Sequence, residues 1–307
     1  MEEGSTANGH QPEEESLHKE IQIIEAQLAA AKAKLQSSGS SNPSPNPPLQ
    51  NPTPSTQHAP NPPQSLHLWL LLADSALPIG SFAFSSGLES YISHRTLRHP
   101  LSGPKKPTPR SELSRFLRLS LLSVSTTTIP FVASAFQTPS SAPELDDIFD
   151  ATTTCEVARR ASVSQGRALC SVWDKSFVHS LLTQINPTDN SNSSSSSNNI
   201  PHHHRPDHFG VAWGYITRLS GADSLHQVLF VFLFNHVKAV LSAAVRLSLI
   251  GPYVAQQILA SEETQRLVLE AVERGKGISV DEAGQCVPTL DLWQGRHEKL
   301  YTRIFNS

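Results

Sequence analysis

The chain is poor in cysteine, methionine and aromatic residues, and it carries no surplus of either charge. Its cysteines, Cys155, Cys170 and Cys286, are odd in number and widely spaced. That excludes a disulfide framework and any Cys-pair metal knuckle, and it points to a reducing, cytoplasmic setting. A formal charge of -3 over 307 residues and a pI near 6.5 leave no basic footprint for nucleic acid or an acidic membrane surface, since such footprints need clustered Lys and Arg. The N-terminal "MEEGSTANGHQPEEES" lacks the basic region and apolar core of a signal peptide. The main apolar run, "VLFVFLFNHVKAVLSAAVRLSL", is interrupted by Asn235, His236, Lys238 and Arg246, well short of the ~20 apolar residues a membrane span requires. It reads as a buried core helix.

Catalytic signatures are also missing. No G-x-x-x-x-G-K-[ST] occurs; in "ERGKGIS" the upstream glycine and the Ser/Thr after the lysine are both absent. No G-x-S-x-G elbow occurs. "HEKLY", from His297, begins like a zinc-protease helix but places Tyr301 where the second histidine must stand. Imidazole suits nickel and zinc, so His202, His203, His204 and His208 form a candidate cluster. Their setting in a Ser/Asn tract favours a solvated loop over a structured site. The expectation is a protein that is not an enzyme and holds no resident metal or cofactor.

What is abundant is proline, serine and helical periodicity. Leu17, Ile21, Ile24, Leu28, Ala31 and Leu35 alternate steps of four and three, the a/d pattern of a coiled coil. From Ser37 to Gln64 a Pro/Ser/Asn linker has almost nothing to bury. Residues 1–64 are therefore expected to be a disordered leader with a short amphipathic helix. The folded part is expected over 65–307, as an all-α, single helical-bundle domain. Apolar residues recur at three and four over Leu66–Ala73, Gly87–Arg95, Ser111–Ser125, Cys155–Trp173, Val211–Leu219, Ser224–Ser248, Pro252–Glu273 and Leu292–Phe305. Polar low-complexity stretches near 98–110 and 186–208 read as surface insertions.

Three constellations stand out. In "LPIGSFAFSSGLES", Ser86 and Glu89 fit a capping box, and the loop delivers Phe82 and Phe84 beside a helix N-terminus. In "CEVARRASVSQGRALCSVW", Val157, Ala161, Ala168 and Val172 share one helix face while Glu156, Arg160 and Arg167 share the other. Gly166 in mid-helix costs ~1 kcal/mol relative to Ala, the mark of a crowded contact. The bland alternative for the arginines is a solvated face with an i,i+4 pair from Glu156 to Arg160. In "DLWQGRHEKLYTRIFNS" one helix is expected to carry an aromatic and aliphatic stripe (Trp293, His297, Leu300, Tyr301, Ile304) and a basic one (Arg296, Lys299, Arg303). Such a composition belongs to an interface hot spot, or to a segment that closes the core.

Together, "LLADSALPIGSFAFSSGLES", "ARRASVSQGRAL", "HFGVAWGYITRLSG", "SAAVRLSLIG" and "RHEKLYTRIFNS", in this order, resemble the UreF family of urease accessory proteins. The resemblance covers roughly 65–307, and the Pro-rich leader and Ser/Asn insertion are similar to those of fungal members. It implies a dimer-forming all-α scaffold between a UreD/UreH-type accessory protein and a UreG-type GTPase. That assembly loads nickel into apo-urease, with GTP bound by the GTPase and nickel handled by the complex. Carried onto this chain, it implies partner-binding roles for Gly80, Ser81, Phe84, Gly87 and Glu89, for Arg159, Arg160, Gln165 and Arg167, for Arg246, and for Arg296, His297, Glu298, Tyr301, Arg303 and Phe305. Ser81 stands where the family commonly has a second glycine, and Phe84 where it has a tyrosine hydroxyl. The competing readings are an α-helical protein–protein adaptor unrelated to urease, and a metal-binding or hydrolytic enzyme built on the His-rich loop.

Overall fold

The computed structural model describes residues 22, 64–98, 108–178 and 205–306. The leader helix, the Pro-rich linker and His202 to His204 therefore lie, Gln22 apart, outside the described residues. The helices below belong to one compact unit, Pro60–Ser307. Among the described residues every regular element is a helix, as the periodicity predicts. In chain order they are α1 (Gln64–Ala73), α2 (Leu88–Arg98), α3 (Pro109–Thr127), α4 (Ile129–Gln137), α5 (Ala142–Thr152), α6 (Glu156–Val172), α7 (Phe209–Leu219), α8 (Leu225–Arg246), α9 (Pro252–Leu259), α10 (Glu262–Lys276) and α11 (Pro288–Arg296). A π-turn, Trp173–Phe177, continues α6.

Local chemistry sets the starts. Thr108 caps α3, its hydroxyl accepting from the Ser111 N–H at 3.2 Å, and Pro109 opens the first turn where its missing N–H costs nothing. Ser224 caps α8 in the same way. Helices α4 and α5, which the apolar spacing did not reveal, both begin with proline in the first turn, Pro130 and Pro143. The single helix expected over Pro252–Glu273 is two: α9 ends at Leu259, and Ser261 caps α10 by accepting from the Thr264 N–H at 3.2 Å. Glu262 and Glu263 then sit in the first turn, where the helix dipole favours negative charge.

Helix α8 is the axis of the bundle, packed against α1, α2, α3, α4, α7, α9 and α10. By length and composition it could cross a membrane, yet half of its most apolar stretch is buried inside this fold. Val228, Leu229, Phe232, Leu233, Val237, Val240 and Leu241 are core residues. Burial of each large side chain contributes ~1.5–3 kcal/mol. The polar residues that interrupt the run each tie α8 to a neighbour. Asn235 donates to the Leu72 carbonyl at 2.9 Å, and Lys238 donates to that of Ala73, satisfying carbonyls that the end of α1 leaves open. His236 Nε2 meets Ser120 Oγ of α3 at 2.7 Å. Arg246 donates to the Phe82 carbonyl in the loop before α2.

Candidate functional site

The loop "LPIGSFAFSSGLES" is held by unusual backbone. Gly80 (φ 69°) and Gly87 (φ 86°) occupy the left-handed region, and so does Ser86 at φ 53°, where a side chain is disfavoured. Ser81–Ala83 forms a single 3-10 turn between them. The expected capping box is not made. The Glu89 N–H reaches Ser85 Oγ at 3.4 Å, and the Glu89 carboxylate turns away from the helix end. It is buried, and it accepts from His297 Nε2 at 2.8 Å, from the Ile304 N–H at 2.7 Å and from the Phe305 N–H at 3.2 Å. Because a carboxylate only accepts, Nε2 of His297 is the donor in this bond, and its buried Nδ1 has no hydrogen-bond partner.

These bonds also correct the expectation of one helix over Leu292–Phe305. Helix α11 stops at Arg296, a 3-10 turn covers His297–Lys299, and Leu300 leaves in extended backbone (ψ 133°). The Ile304 and Phe305 amides, which would bond within a helix, bond to Glu89 instead. The Asn306 N–H donates to the Ala83 carbonyl at 2.9 Å, and the Arg246 guanidinium lies 4.1 Å from the centroid of the buried Phe305 ring. The segment therefore closes on its own chain. Glu89, His297 and Phe305 are interior, whereas Tyr301, Arg303 and Ile304 face solvent. Phe82, which the implied partner set omits, is 66% exposed while its carbonyl is held by Arg246. The aromatic pair in the loop was visible in the sequence, but which ring faces out was not.

Helix α6 supplies the third part. Gly166 is buried because the chain crosses it closely: an added Cβ would lie 2.1 Å from the Asp207 carbonyl oxygen. The expectation of a crowded contact is met there. Arg160 pairs with Glu298 at 2.8 Å rather than with Glu156, and this holds the Glu298 carboxyl below its ordinary range. Arg167 pairs with Asp207 at 2.5 Å, while Arg159 donates to the Thr153 carbonyl at 3.0 Å. Gln165 bonds within its own helix, to the Ala161 carbonyl. Arg296 is exposed.

The blocks that lie far apart in sequence meet at one place. Phe84 from the loop, Arg160 and Ser164 from α6, and Arg303, Ile304, Phe305 and Asn306 from the C-terminal segment line a groove of about 530 Å³. Behind it lies a cavity of about 480 Å³, which Phe84 also lines, among hydroxyl and amide side chains such as Ser123, Thr127 and Gln285. His236 faces this cavity, and burial pushes its pKa down to about 4, leaving a neutral imidazole at pH 7. Burial also raises the Cys155 thiol and the Asp291 carboxyl there. Among the described residues no three His, Cys, Asp or Glu side chains converge as a metal site would require.

His208, placed by its sequence context in a solvated loop, is in fact buried at the start of α7. Its Nε2 meets Asp150 at 3.1 Å and its Nδ1 meets Ser162 Oγ at 3.2 Å, while Asp146 accepts the Asp207 and His208 amides. Burial raises the Asp146 carboxyl, and the two amides partly offset this. With the Asp174–Arg205 and Arg167–Asp207 ion pairs, this knot ties residues 205–208 to α5, α6 and the π-turn.

Comparison with known proteins bears on this arrangement. Residues 108–262, half of the chain, match the UreF family model. The chain is 36% identical over 249 residues to an uncharacterized urease accessory protein UreF-like of Schizosaccharomyces pombe, covering 78% of this chain and 97% of that protein. It is 35% identical to urease accessory protein F of Oryza sativa subsp. indica (77% and 83% covered) and 34% identical to that of Arabidopsis thaliana (78% and 91%). An adaptor unconnected with urease finds no support among these relatives. The chain belongs to the UreF family of urease accessory proteins.

Proposed function

We propose that this protein is the scaffold of a nickel-loading assembly in the cytoplasm. It acts as a homodimer that bridges a UreD/UreH-type accessory protein and a UreG-type GTPase, and it couples GTP hydrolysis on that GTPase to nickel delivery into apo-urease. It contributes no catalytic group and no cofactor. The observation that carries this reading is the meeting of loop, α6 and C-terminal segment around one groove, with the backbones of the loop and the C-terminal segment already fixed through Glu89, Arg246 and Asn306. Preorganised surfaces bind without a large ordering cost. Arg and aromatic side chains at such a surface, here Arg160, Arg303 and Phe84, are the types that dominate interface energetics.

Glu89, His297 and Phe305 act in this reading as positioning residues beneath the surface. Direct contact falls to the exposed side chains. The test is co-expression with a UreD/UreH-type protein and a UreG-type GTPase, followed by capture on the GTPase. The double variant Arg160→Glu, Arg303→Glu is expected to lower capture at least tenfold, about 1.4 kcal/mol or more, with helicity by circular dichroism unchanged. Undiminished capture by a folded double variant would remove this groove from the interface.

A further inference from the structure

We draw no further inference here: the strongest candidate, the cavity of about 480 Å³ lined by His236, Cys155 and Asp291, does not bring these side chains together around one point as a metal ion would require, and nothing in the structure shows what it holds.

Discussion

The bundle around α8 and the clasp around Glu89 are held together in opposite ways. In the bundle, many apolar side chains share the work, and Asn235, His236, Lys238 and Arg246 of α8 each reach a different neighbouring segment or carbonyl. In the clasp, one carboxylate accepts a histidine and two backbone amides, and the segment it holds buries a single large side chain, Phe305. Dispersed hydrophobic contact makes a region robust to the loss of any one side chain. Concentrated polar contact makes a region definite in shape but dependent on one group.

The largest effect is expected from breaking the bundle. Leu229→Ala, at a fully buried position, should cost about 4 kcal/mol through lost transfer energy and the remaining cavity. The loss is expected to be global, read as a lower midpoint in urea with all probes moving together. If only part of the molecule loosens, α8 is not the common axis.

Glu89→Ala is expected to cost about 3 kcal/mol, because it takes the acceptor from three donors, of which the His297 ring and the Phe305 amide are buried. Here the loss should be local. Amide exchange at Ile304, Phe305 and Asn306 should accelerate while exchange along α8 stays slow. Equal acceleration in both places would mean that the clasp is part of the global core.

A titration sharpens the same contrast. The His236 pKa is depressed to about 4 by burial against an ordinary value of 6.5, so between these values the unfolded chain binds a proton that the folded one does not. Stability should therefore be fully present above about pH 6.5 and fall as the pH drops toward 4, by roughly 2–3 kcal/mol. His236→Leu should flatten that part of the profile. A profile as steep as before would place the acid sensitivity elsewhere.

The smallest effect is expected from deleting residues 190–204. The downstream root is tied by Arg205, Asp207 and His208 to α5 and α6, so melting and urease activation in cells should both survive. Lost activation would assign the His-rich tract a role in nickel handling.

Helix type and most helix positions were legible in the sequence because burial on one face imposes a 3.6-residue period, and because Ser and Thr caps mark helix starts. The five ordered blocks were likewise enough to point to the family. Helices α4 and α5 escaped that reading: α4 is buried almost all round, so it has no polar face to set a period. For the C-terminal segment, closure of the core was one of two readings of its composition, but its path was not legible. Its spacing fits a helix through Ile304, and only a carboxylate some 215 residues upstream, brought close by packing of α2 on α11, draws its amides out of helical register. The same holds for Glu89, whose sequence position offers a cap, and for His208, whose neighbours offer solvent. Local periodicity and capping are properties of the chain and act over a few residues; which buried donor meets which acceptor depends on elements distant in sequence, and only the tertiary structure decided it.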